Sequence, residues 1–156
     1  MIIDYIENGT LRDYLRAYKH ISRSQLHCWI LAMAEGLEML HIHNILHCDF
    51  TPANMLLNSS LGLKIADFGC STINGTTSSG AAGVRFRPCQ DWRKLPAKDD
   101  DLFALGSSIY EVLTGKPPFE DISSDQVHRL HELRQFADLT GLNMADIIRD
   151  CWLRKA

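Results

Sequence analysis

Residues 100–115, DDLFALGSSIYEVLTG, make a helix-length stretch that is apolar on most of its faces. A helix of that kind cannot lie on a surface; other elements must surround it, so it sets the centre of the fold. Gly115 and the Pro117-Pro118 pair stop it. Its natural partner is the longest amphipathic segment, 24–43. There Leu26, Ile30, Met33, Leu37 and Leu40 recur at three- and four-residue steps with Trp29 alongside, behind a Ser22/Gln25 capping pair.

The remaining elements are short. MIIDYI reads as a strand, ENGT as a turn, and Thr10 with Asp13 as an N-cap pair for the helix LRDYLRAY. MLL and LKIA flank NSSLG as a hairpin. Residues 71–83, STINGTTSSGAAG, are small, polar and glycine-bearing, which predicts a mobile loop. Two further helices are expected near 123–136 and 142–153. The fold class is therefore mainly α with a few short β-strands (α+β). With 156 residues, 46% hydrophobic and 22% charged, the chain is one domain or part of one, able to bury a core.

A net charge of −3 points to neither nucleic acid nor an anionic membrane as a partner. The apolar runs are too short to span a bilayer, and no charged-then-apolar leader opens the residues, so a cytoplasmic location is expected, with a nuclear one as the variant. The five cysteines form no CxxC pair and are expected as reduced, partly buried thiols rather than metal ligands or disulfides. His41 and His43 close a helix, where a cationic ring suits the dipole.

The chemistry concentrates in loops beside strands. HCDFTPANMLL, residues 47–57, holds Asp49 and Asn54 five apart with Pro52 between them, a spacing that one helical face cannot share. Thirteen residues after Asn54, Asp67 opens DFG behind an apolar strand. Carboxylate and amide oxygens are hard ligands suited to Mg²⁺, and Asp49 can accept a proton from an attacking hydroxyl. Singly, each residue also fits a turn-stabilising role.

Together they are specific. HCD-x₄-N followed by DFG resembles the catalytic core of the eukaryotic protein kinases. Asp101 and Gly106 in DLFALG resemble that family's D-x-W-x-x-G helix start, and GKPPF the segment after it. RFRPCQ stands in the place of Y-x-A-P-E, IIDYIENGTLRDYL resembles the hinge and following helix, and DCWLRKA the start of the last helical region. The resemblance implies residues 1–9 as a residual strand and hinge, 10–156 as the helical large lobe and 67–90 as the activation segment. It implies ATP and Mg²⁺ as cofactors and a protein hydroxyl as substrate, Ser/Thr by default. Asp49 would be the base, and Asn54 and Asp67 the metal ligands. Leu56 would floor the adenine pocket, the Asp4 and Ile6 backbone would meet the adenine edge, and Ile3 would be gatekeeper. His47 and Phe68 would stack beneath the site. Aminoglycoside-type phosphotransferases share the H-x-D-x₄-N loop but usually follow it with an acidic pair and lack DLFALG and GKPPF.

The departures from the pattern bear on activity. No G-x-G-x-x-G occurs in these residues, and neither the phosphate-pairing lysine nor its glutamate partner is present. Thr51 stands where Ser/Thr kinases carry a lysine, and Gly83 where they carry the threonine that bonds it. Cys48 replaces the arginine that receives an activation-loop phosphate, so phosphorylation among Ser71, Thr72, Thr76, Thr77, Ser78 and Ser79 is expected to order that loop weakly. Gln90 replaces the glutamate of A-P-E, with Arg154 a badly placed stand-in for its partner. Two expectations follow. One is a protein kinase lobe, inert alone, that needs a missing small lobe or a regulatory protein; the other is a catalytically dead interaction module.

Overall fold

In the computed structural model, which describes residues 6–78, 80–89 and 94–155, the polar caps read from the sequence start their helices. Thr10 Oγ1 accepts the Asp13 backbone N–H at 3.1 Å and donates to the Asp13 carboxylate at 2.7 Å, opening α1 (Leu11–Ala17). Ser22 Oγ accepts the Gln25 N–H at 3.1 Å and opens α2 (Arg23–Ile42). Trp29, Ile30, Met33 and Leu37 form its buried stripe. The expected strand MIIDYI lies outside the described residues except for Ile6, which is not in a strand.

Two small antiparallel ladders flank residues 47–54, the candidate catalytic loop. β1 (Ile45–Leu46) pairs with β4 (Thr72–Ile73), and β2 (Met55–Leu57) with β3 (Leu63–Ile65) in the register Met55↔Ile65 and Leu57↔Leu63. The second is the hairpin read from the sequence. The first was not legible there, because two-residue strands carry no period-2 signal. It narrows the expectation of a mobile loop over 71–83 at its two ends, while residues 73–77, 80 and 81 are exposed. Thr72 is 1% exposed and Ala82 4%, and the Ala82 N–H donates to the Cys48 carbonyl at 2.8 Å. Small side chains let this segment tuck against the catalytic loop.

The apolar helix is central, as its faces require. α3 (Lys98–Thr114) is buried almost throughout from Phe103 to Val112. It starts ahead of the apolar pattern, because the Asp100 carboxylate accepts the Ala97 N–H at 2.9 Å. Gly115, at φ +77°, ends it. α4 (Ser124–Glu132) and α5 (Ala145–Leu153) are shorter than expected. Left-handed residues bound them: Arg134 at φ +53° beyond α4, and Met144 at φ +63° before α5.

Gly106 is the point of closest helix approach. A Cβ there would lie 2.7 Å from Cys151 Cβ, 3.2 Å from the Ile148 carbonyl and 3.3 Å from Trp152 Cδ1. Beside it Trp152 Nε1 donates to Ser107 Oγ at 2.9 Å. Gly106→Ala should therefore cost about 1 to 3 kcal/mol in denaturant unfolding, with the m-value unchanged, against a helix-propensity gain of under about 1 kcal/mol.

Phe103, Phe136, Trp152 and His131 close the far end of the core, with Phe136 stacked on Trp152 at 5.4 Å and His131 edge-on to Phe103 at 5.3 Å. His131 Nδ1 has no hydrogen-bond partner among the described residues, and burial pushes the ring's pKa down from 6.5 to about 4. The unfolded chain takes up a proton that the folded ring refuses. Stability is thus fully present above pH 6.5 and is lost as pH falls toward about 4. Melting temperature measured across that window should fall less steeply for His131→Phe than for the parent chain.

Candidate active site

The catalytic loop is hung from one buried carboxylate. Asp101, 1% exposed, accepts the His47 N–H on Oδ2 at 2.8 Å and the Cys48 N–H on Oδ1 at 2.9 Å, while His41 Nε2 lies 3.0 Å from Oδ2. His41 is therefore more than a helix-end cation. Its ring is a partner of the Asp101 charge, whereas His43 Nδ1 stays on its own helix, 2.8 Å from the Met39 carbonyl. Cys48 sits at φ +64°, a left-handed bend held by that carboxylate. Burial, then the Asp101 charge, pushes its thiol up to about 11, so it is no nucleophile at neutral pH.

His47 carries the order onward. Its Nδ1 accepts the Asp49 N–H at 3.3 Å, which places the ring proton on Nε2, 3.1 Å from the Ala66 carbonyl. Ala66 N–H in turn donates to the Asn54 carbonyl at 2.9 Å. The residue before Asp67 is thereby tied to both ends of the catalytic loop. The expected stack beneath the site is present in part: His47 is fully buried and 5.1 Å from the Phe68 ring, but Phe68 is 47% exposed. The ring that packs His47 from inside the core is Phe50, edge-on at 5.6 Å.

Asn54 faces Asp49 directly. Its Nδ2 donates to the Asp49 carbonyl at 2.9 Å and to Oδ2 at 2.8 Å, leaving Asn54 Oδ1 and the second carboxylate oxygen of Asp49 without a hydrogen-bond partner among the described residues. Asp67, exposed and left-handed at φ +57°, accepts the Gly69 N–H on Oδ1 at 3.2 Å. The Cys70 thiol is pushed up first by burial and then by the charges of Asp49 and Asp67, so the two carboxylates look onto the same neighbourhood. An amide oxygen and a carboxylate are, by their chemistry, donors that fit Mg²⁺.

β2 alternates. Met55 and Leu57 are in the core and Leu56 points to the opposite, half-buried face, joined by a bridge to Thr10. Ile6 is half-buried. Ile3, Asp4 and Gln90 lie outside the described residues. Arg154 pairs with Asp100 at 3.6 Å.

In front of Asp49 and Asn54 opens a cleft of about 510 Å³ whose wall includes Thr51, Gly83, Arg12, Arg16 and Arg85. These arginines were not legible in the sequence as site residues, because their partners are far away in the chain. Arg12 makes a bidentate pair with the buried Glu111 at 2.7 and 2.9 Å, and its guanidinium lies 5.3 Å from the centre of the Phe86 ring. Its pKa is raised by that hydrogen bond to Glu111. Arg85 donates to the carbonyls of Phe119, Glu120 and Ile122, and Arg16 lies 3.5 Å from Glu120.

The sequence model of the family described as "Protein kinase domain" matches residues 1–151. The chain belongs to the protein kinase family. Among curated relatives, it is 29% identical to mitogen-activated protein kinase kinase kinase 12 of Rattus norvegicus over 99% of the chain and 18% of that protein. It is 31% identical to mitogen-activated protein kinase kinase kinase 13 of Homo sapiens over 81% of the chain and 14% of that protein. To an Aurora kinase of Yarrowia lipolytica it is 35% identical over 78% of the chain and 33% of that protein. The chain thus spans a third or less of the length of these relatives. With the family set, the DFG and DLFALG segments separate this kinase chain from the aminoglycoside-type alternative. No helix among the described residues is long and apolar enough to cross a membrane.

Replacing Asp101 by Asn removes the charge and one of two acceptors from two backbone donors and His41. The variant should lose about 2 to 4 kcal/mol of stability, read by chemical denaturation.

Proposed function

We propose that this chain carries the metal- and hydroxyl-facing half of a protein kinase active site. Residues 1–9 act as strand and hinge, 10–156 as the helical lobe, and 67–90 as the activation segment. The observation that carries the reading is the Asn54 amide, whose Nδ2 is committed to Asp49 at 2.8 Å so that its oxygen is free for a metal. Asn54 and Asp67 would hold Mg²⁺, and ATP bound with it would supply the phosphoryl group. Asp49 keeps one carboxylate oxygen free to take the proton of a Ser or Thr hydroxyl seated in the cleft. Leu56 floors the adenine site, with the Ile3, Asp4 and Ile6 stretch at its edge. A small lobe, or a regulatory protein in its place, closes over the phosphates.

The second reading is a catalytically dead module, and the cleft wall favours it for the chain alone. Thr51 and Gly83 bring no cation, and Arg12, Arg16 and Arg85 are already held by Glu111, Glu120 and backbone carbonyls. An electrostatic stabiliser of the transferring phosphate is worth about 3 to 4 kcal/mol, a hundred- to thousand-fold in rate.

Both readings are tested on residues 1–156. Fluorescent-nucleotide titration should give Mg²⁺-dependent binding that weakens about tenfold or more in Asp67→Asn, a loss of about 1.4 kcal/mol. Binding that ignores Mg²⁺ overturns the metal seat. Transfer of labelled phosphate to a generic protein substrate should not exceed the Asp49→Asn background. Transfer that vanishes in Asp67→Asn overturns the inertness of the lone chain.

A further inference from the structure

A second cluster of ligating groups lies away from the catalytic loop. Cys89, past the short turn Val84–Phe86, places its Sγ 3.6 Å from His128 Nε2 on α4. One turn further along the same helix, Glu132 Oε1 lies 3.6 Å from His128 Nδ1. One donor atom from each of the three residues falls within 4.8 Å of the others. His128 and Glu132 are 42% and 53% exposed, so solvent and a metal ion reach them and their rotamers are free to adjust.

The donor chemistry is selective. Mg²⁺ and Ca²⁺ take oxygen ligands, whereas a thiolate, an imidazole and a carboxylate together suit Zn²⁺, which imposes no geometry of its own. Zinc bonds of about 2.0 to 2.3 Å at tetrahedral angles put donor atoms about 3.4 to 3.6 Å apart. The cysteine–histidine separation of 3.6 Å already meets that spacing. Glu132 Oε1 rests against the other ring nitrogen, Nδ1, so rotation of its exposed side chain has to carry the oxygen round to the Nε2 side to join the ion.

We propose that Cys89, His128 and Glu132 bind a zinc ion, with water in the fourth position, that ties the end of the activation segment to α4. The site differs from the expectation that all five cysteines are plain thiols. Sequence spacing gave no signal for it, because Cys89 stands 39 residues from His128. The zinc site stands whether or not the chain transfers phosphate.

The test is titration of the reduced chain with Zn²⁺ against a chromophoric chelator, and with Co²⁺ read by absorption. One ion per chain should bind, with a thiolate-to-cobalt charge-transfer band. Cys89→Ser should abolish that band and weaken zinc binding about a hundredfold, while Glu132→Gln weakens it about tenfold, in the range seen when metal-site partners are removed. Cys28→Ser, at an exposed thiol elsewhere, should change neither readout. A band that survives Cys89→Ser, or zinc affinity equal in the parent and Cys89→Ser chains, overturns the proposal. Circular dichroism of each variant should match the parent.

Discussion

Asp101 is a carboxylate with almost no access to water, and three groups converge on it: two consecutive backbone N–H groups and the His41 ring. Burying that charge is unfavourable by several kcal/mol unless each lone pair finds a donor. The catalytic loop therefore takes the one course that brings the His47 and Cys48 amides to the end of α3, left-handed bend included. The candidate site residues hang below that point. His47, fixed at its backbone, uses one ring nitrogen for the Asp49 amide and the other for Ala66, and so sets the distance between the loop and the strand that presents Asp67.

The consequence is a candidate site ordered from beneath by hydrogen bonds to carboxylates, with a cleft in front of Asp49 and Asn54. Asn54 spends its amino group on Asp49 and Asp67 spends one oxygen on Gly69, which leaves Asn54 Oδ1 uncommitted among the described residues. Such preorganisation is what phosphoryl transfer requires, since the protein contributes mainly positioning and charge. On the wall facing Asp49 the charge is already spent, because each arginine there is held by groups of the same lobe.

What could be read from the sequence follows from how local its cause is. Thr10, Ser22 and Gly115 act within one turn of their own helices, so those boundaries are legible in the sequence. The hairpin at Met55–Leu57 and Leu63–Ile65 was legible from its turn, and Asp49, Asn54 and Asp67 from their motif spacing. The pairing of Ile45–Leu46 with Thr72–Ile73 was not, because four residues cannot display a period. Nor were Arg12 with Glu111, 99 residues apart, or the burial of Thr72 in a segment whose composition suggests motion. Those features exist only once the chain has closed on itself.

The tight crossing at Gly106 has a bearing on how the chain is made. Residues 148–152 seal the flank of the central helix, and they are synthesised more than forty positions after Gly106. Until they leave the ribosome, Phe103, Ser107 and the backbone of Gly106 stay uncovered, an apolar seam with polar gaps that a nascent chain offers to chaperones. Burial of this core is thus completed only when α5 docks on the Gly106 flank of the central helix.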